Sequence, residues 1–196
     1  MFKNTKKSAL NFKILKFFII PAFLVSTPLL TNIQNVKAGI EFQWDQNSGH
    51  RKLKWFQKEN KPRFRNTIYF FLRPIDRNVD LLKINLAIPK TFKSTLETEK
   101  ISFCKVKIGG FDSRTRCLED IPADIEINTN ESSLRSIDIY PYSPIPSNKD
   151  NKESYAIVFK KIFNPKRSGL YQFHSFGQPK GKTVSSYIGS WTIVID

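Results

Sequence analysis

A chain of 196 residues with a formal net charge of +15 and two cysteines is long enough for one domain with a self-sufficient core. At that length a core can close without support from metal or oligomerisation. No GxSxG, HExxH, Gly-rich phosphate loop or EF-hand loop occurs, which removes the enzyme and calcium classes those motifs carry.

The amino terminus reads as a signal peptide over residues 1–38. Lys3, Lys6, Lys7, Lys13 and Lys16 precede an uncharged stretch, FFIIPAFLVSTPLL, at 17–30. Its length suits a signal-peptide core and falls short of the roughly 20 residues of a membrane-crossing helix. Pro21 and Pro28 interrupt it further. Val36-Lys37-Ala38 places cleavage after Ala38, the alternative being an uncleaved anchor. No cysteine stands near the cut, so no lipid anchor is expected. The leader takes six lysines with it, so residues 39–196, one expected domain, carry 26 bases against 17 acids, or about +9. The expected compartment is the periplasm or cell envelope, with the thylakoid lumen also open.

Behind the leader, short runs rich in Ile, Phe, Tyr and Val are expected as strands at 40–44, 66–72, 82–88, 101–108, 125–127, 137–140, 155–159, 170–176 and 187–195. Turn signals separate them, among them Arg73-Pro74, Ile88-Pro89, Gly109-Gly110, Asn164-Pro165 and Gln178-Pro179. One short helix is expected near 95–100, and SPIPSNKDNK at 143–152 is expected to bulge into solvent. Many short strands without a long helical period predict an all-β, antiparallel, immunoglobulin-like β-sandwich.

Cys104 and Cys117, an even pair in an exported chain, predict a disulfide across the Gly109-Gly110 turn. Closing that loop removes about 3 kcal/mol of unfolded-state entropy. CxxC spacing is missing, which argues against a redox pair, and no further ligands flank the cysteines for a metal. Tyr171 follows the Asn164-Pro165 and Ser168-Gly169 turn and is expected to hydrogen-bond back across it. His174 stands next to Ser175, but adjacent strand residues face opposite ways and cannot act as base and nucleophile together. The acidic run Glu119-Asp120 with Asp124 and Glu126 reads as a solvated strand edge, the alternative being a calcium site. No cofactor and no metal are expected.

The segment HRKLKWFQKENKPRFR at 50–65 stands out. Arg51, Lys52, Lys54, Lys58, Lys61, Arg63 and Arg65 face one acid, Glu59, and Trp55, Phe56 and Phe64 are interleaved. Clustered cations with flat rings bind polyanions by Coulomb attraction and stacking. In an envelope the candidate partners are acidic polysaccharide, an anionic lipid surface or an acidic protein; nucleic acid is scarce there and is set aside. The competing reading is a solvated loop whose aromatics plug the core.

Three blocks carry a resemblance: NPKRSGLYQFHSFGQPKG with YIGSWTIVI, CKVKIGGFDSRTRCLEDIPADI, and RNTIYFFLRPIDR. Over residues 39–195 the chain resembles an uncharacterised family of small exported cyanobacterial proteins, marked by an NPxxxGxYxF block. The family is a domain of unknown function, so the resemblance implies export and fold but no catalytic residues. The functional expectation is a non-enzymatic envelope protein, a binding or structural module contacting anionic partners through 50–65. The alternative is an envelope hydrolase with a site assembled from scattered polar residues.

Overall fold

The β-branched and aromatic runs pair into two antiparallel sheets whose alternating residues meet in one interior. The computed structural model describes residues 51–110, 113–149 and 151–196. The expected leader, the expected strand at 40–44 and His50 lie outside the described residues.

The strands are β1 (Trp55–Gln57), β2 (Arg65–Leu72), β3 (Leu81–Ile88), β4 (Ile101–Lys107), β5 (Arg116–Asp120), β6 (Ala123–Thr129), β7 (Arg135–Pro141), β8 (Tyr155–Phe163), β9 (Gly169–Pro179) and β10 (Ser186–Ile195). One sheet runs β1-β2-β8-β4-β5 and the other β10-β9-β3-β7-β6, five strands each. The described residues all fall within one compact unit, Gln43–Asp196.

The expected strands that lie among the described residues are all present within a few residues of their expected limits. Two further strands, β1 and β5, were not expected, and they are the two outer strands of the same sheet. β1 is only three residues long within a cation-rich segment and β5 is mostly charged, so both read as loop, and an edge position is where a sheet tolerates such strands. The short helix expected near 95–100 is a single 3-10 turn, Thr98–Lys100, which runs straight into β4. Too few residues are free there to nucleate an α-helix. The stretch at 143–152 also departs from expectation. Instead of bulging outward it is tied down: Ile145 is buried and pairs with Leu81, and the Ser147 amide donates to Asp80 Oδ1 at 2.8 Å. Ile145 is apolar, and burying it overrides the polar character of its neighbours.

Ile68, Phe70 and Leu72 of β2 with Tyr155, Ile157 and Phe159 of β8 face Ile84 and Leu86 of β3, Tyr171 and Phe173 of β9, and Trp191, Ile193 and Ile195 of β10. At the centre, the Phe70 ring lies 5.0 Å from Phe159, 4.9 Å from Phe173 and 5.2 Å from Trp191. The Trp191 indole N–H donates to the Phe71 carbonyl at 3.1 Å, so the largest core side chain buries no unpaired polar atom.

β2 is buried on both faces. The side chains between those core residues, Tyr69 and Phe71, join Ala156 and Val158 of β8 and Cys104 and Val106 of β4 in a second, smaller cluster. Cys104 and Cys117 are joined there by a disulfide, with Cα atoms 5.8 Å apart. The strand register sets Val106 opposite Cys117 and Cys104 opposite Asp120, so the bond runs diagonally across a slip in the β4–β5 ladder.

Candidate functional site

The basic segment is pinned to both sheets in its first half and turns in its second. It is a rail that passes from one sheet to the other. Lys52 pairs in parallel with Ser190 at the open edge of β10, the Leu53 amide donates to the Ser190 carbonyl at 2.8 Å, and the Ser190 amide donates to the Arg51 carbonyl at 2.7 Å. Leu53 is buried in the core. Two residues later the chain has crossed to the other sheet, where β1 sets Trp55 opposite Phe70 and Gln57 opposite Ile68.

The crossing depends on Gly189. A Cβ there would stand 2.7 Å from the Arg51 carbonyl oxygen and 2.7 Å from Leu53 Cγ. Gly189→Ala is therefore expected to lift residues 51–53 off β10 and to cost about 1–3 kcal/mol, as overpacking does. Urea unfolding together with faster amide exchange at Leu53 checks it; unchanged stability and unchanged exchange would refute the close approach.

After β1 the segment turns back at 58–64, and neutral amides hold that turn. Asn66 Oδ1 accepts from the Lys58 and Glu59 amides at 3.1 and 3.0 Å, and Asn66 Nδ2 donates to Asn164 Oδ1 at 3.0 Å. Asn164 Nδ2 donates to the Glu59 and Lys61 carbonyls at 3.2 and 2.9 Å. The Arg63 amide donates to the Pro165 carbonyl at 3.3 Å, with Arg63 in the left-handed region at φ 64°. Glu59, the one acid of the segment, spends Oε1 on the Asn60 and Lys61 amides at 2.9 and 3.0 Å. It caps the turn, and its carboxylate neutralises no cation of the segment at ion-pair distance.

The charged side chains then sort themselves by partner. Arg51 lies 3.4 Å from Asp76 Oδ1 and donates to the Ile75 carbonyl. Lys52, Lys54, Lys58, Lys61, Arg63 and Arg65 are exposed, and among the described residues none of these six is ion-paired. Lys61 sits over the Phe64 ring at 5.8 Å and Arg65 over Phe163 at 5.2 Å. Phe64 and Phe56 are exposed, whereas Trp55 is half-buried and packs against the core. Trp55 is thus a plug rather than a stacking platform.

Geometry also divides the segment. Arg51 sits beside Asp76, just past the end of β2, while Lys61, Arg63 and Arg65 stand at its start. Eight residues of strand separate the two halves by roughly 25 Å. What is contiguous in sequence is two patches in space. The second patch adjoins cations that come from elsewhere: Lys166 and Arg167 in the β8–β9 turn and Lys90 and Lys93 in the β3–β4 loop. No linear pattern reveals these four, because more than seventy residues separate the pairs.

The other polar groups singled out by the sequence are dispersed over β5, β6 and β9. Tyr171 Oη donates to the Arg167 carbonyl at 2.5 Å, back across the turn as expected, and burial pushes that hydroxyl's pKa up. His174 and Ser175 face opposite sides, but His174 Nδ1 meets Ser190 Oγ at 2.7 Å and Tyr187 Oη meets the same oxygen at 2.6 Å. A cross-strand pairing such as this is invisible in the linear sequence. Ser190 is only 4% exposed. Glu119 pairs with Lys105 at 2.9 Å, while Asp124 accepts from the Tyr142 hydroxyl at 3.0 Å. The acidic run therefore has no common focus. Asp120 lies near the two cysteine sulfurs, but both are committed to the disulfide and are not thiolate ligands.

A family model described as "Protein of unknown function (DUF2808)" matches residues 43–195. The chain belongs to this family. The DUF2808 match spans every described strand and both halves of the basic segment. No curated protein matches the chain. Among solved structures, BslA, a bacterial hydrophobin, is similar at 12% identity and TM-score 0.44, over 75% of this chain and 95% of that one. The collagen-binding domain of a Staphylococcus aureus adhesin is similar at 12% identity and TM-score 0.36, over 72% and 95%. The collagen-binding subdomain of the Enterococcus faecalis surface protein ACE is similar at 9% identity and TM-score 0.37, over 71% and 95%.

Proposed function

We propose that this DUF2808 protein is a non-enzymatic module exported to the cell envelope that contacts an anionic partner through the exposed cations of residues 51–65. The observation that carries the reading is the state of those cations: six of them stand exposed and without an acidic partner on a backbone fixed by strand pairing and by the Asn66–Asn164 amides. Rigid backbone lowers the ordering cost of binding, and unpaired charge leaves the Coulomb attraction available to a partner. The disulfide supports export, since such bonds persist in oxidising compartments.

Lys52→Glu, Lys54→Glu and Arg63→Glu combined reverse three of these charges on exposed side chains. Wild-type protein is expected to be retained on immobilised anionic polymer or anionic vesicles at low salt, and to be released between about 0.1 and 0.5 M salt as screening shortens. The triple variant is expected to elute at distinctly lower salt with unchanged thermal stability. Equal retention of the two proteins would overturn the reading.

A further inference from the structure

At the end of the sandwich where β2 and β9 start, two walls enclose a groove of about 780 Å³. One wall is the β3–β4 loop with Lys90, Thr91 and Lys93; the other is the β8–β9 turn with Lys166 and Arg167. Its volume lies within the range of ligand-sized clefts, about 300–1,000 Å³. No acid lines it, and among the described residues none of its four cations is ion-paired.

The walls are built, not incidental. Phe92, between the two lysines, is buried and packs edge-on against Tyr171 at 5.4 Å and Phe173 at 5.0 Å. The Arg135 guanidinium donates to the Phe92 carbonyl and, at 2.8 Å, to the Ser94 carbonyl. Ser94 Oγ donates to the Phe163 carbonyl, which ties one wall to the strand that leads into the other. The opposite wall is held by the Tyr171 hydroxyl on the Arg167 carbonyl. The backbone that carries the four cations is therefore held on both sides of a groove whose lining includes Pro165 and Leu170.

We propose that this groove binds an acidic polysaccharide, a chain of sugars bearing carboxylate or sulfate groups. The cations are exposed on opposing walls instead of converging on one point, which suits repeated charge along a polymer better than a single small anion. Pro165, Leu170 and Tyr171 in the lining offer apolar surface to the C–H faces of sugar rings. A lipid surface is the competing occupant, since Leu170, Phe64 and Phe163 stand exposed at this end of the sandwich, and the vesicle comparison below separates the two. An acidic peptide would gain most by adding a strand, but β3 and β9 already have neighbours on both sides. The site is separate from Lys52 and Lys54, and it stands whether or not those residues bind anything.

The test uses the oxidised protein with polygalacturonate and dextran sulfate as probes, and with neutral dextran, polyglutamate and phosphatidylglycerol vesicles as comparisons. Binding to at least one charged glycan and not to neutral dextran is expected; which of the two binds distinguishes carboxylate from sulfate as the recognised group. Lys90→Glu with Lys93→Glu, and separately Lys166→Glu with Arg167→Glu, are each expected to weaken glycan binding by about tenfold or more, as loss and reversal of two contacts implies. Lys52→Glu with Lys54→Glu is expected to change it by less than about twofold, since those charges lie several Debye lengths away at physiological salt. In the wild-type protein, bound glycan is expected to shield Lys90, Lys93 and Lys166 from amine acetylation while Lys52 and Lys54 react as before. That footprint holds even if a variant folds poorly. Unshielded Lys90 and Lys166, tighter binding to vesicles or polyglutamate than to either glycan, or full glycan binding by both groove variants would each overturn the proposal. Loss of binding in the Lys52/Lys54 variant alone would overturn it while leaving the edge-segment reading in place.

Discussion

Phe70→Ala is expected to destabilise the protein by about 3–5 kcal/mol, the range for truncating a fully buried phenylalanine. The ring has no solvent exposure and lies 4.9–5.2 Å from three other buried aromatic rings, Phe159, Phe173 and Trp191, which come from β8, β9 and β10. Those strands belong to both sheets, so the ring contributes to sheet-on-sheet packing as well as to one layer. Its neighbours cannot collapse easily into the space. Phe159 and Phe173 are set by strand register, and Trp191 is held by its hydrogen bond to the Phe71 carbonyl. A cavity therefore remains, and aromatic contacts worth about 0.5–1.5 kcal/mol beyond area burial are lost with it. Against a total of about 5–15 kcal/mol this is a large fraction. Chemical denaturation gives the number directly, and Phe70→Leu, which keeps most of the volume, is expected to recover more than half of it. A loss under about 1.5 kcal/mol for Phe70→Ala would mean that the ring is not central to the core.

Reduction of the Cys104–Cys117 bond is expected to lower stability by about 3 kcal/mol, as the loop closed by a 13-residue separation implies. At roughly 2–4 °C per kcal/mol for a domain of this size, the melting temperature should fall by about 6–12 °C. The direction follows from both ends of the bond. Cys104 is buried among Tyr69, Phe71, Ala156 and Val158, whereas Cys117 sits on the outermost strand of that sheet. Without the bond, β5 keeps its ladder with β4, which already carries a register slip, and the exposed Lys105–Glu119 ion pair. The double variant Cys104→Ala with Cys117→Ala separates the crosslink from thiol burial and is expected to lose a similar amount. A reduced protein that melts with the oxidised one would show that β5 is held by other means.

The parts of this fold that were legible in the sequence are those where one physical signal dominates. Lys83 to Ile88 alternates, and its apolar positions Ile84, Leu86 and Ile88 are the buried ones. Cys104 and Cys117 were legible because a strand and a glycine turn separate them. The edge strands were not: Trp55–Gln57 is only three residues long inside a cation-rich segment, and Arg116–Asp120 carries charge that solvent-facing edges accept and propensity reads as loop. The basic segment was legible in composition but not in shape. Nothing in its residues shows that Gly189 would draw Leu53 between the sheets, or that extended chain would part Arg51 from Arg63. The groove cations were hidden for a simpler reason. Lys90 and Lys166 meet only because β3 and β9 are antiparallel neighbours, a pairing that depends on the whole sheet order.

The crossing at residues 51–57 also shields the protein from its own copies. An unpaired strand edge is a template for association between molecules. Lys52 and Leu53 occupy the free side of β10, and β1 occupies the free side of β2. One short stretch thus covers two templates on the same flank, and it carries lysine at Lys52 and Lys54, the side chain most effective at repelling an incoming strand. Detaching that stretch would uncover both edges at once, so loss of this one contact would expose two association templates before the core itself unfolds.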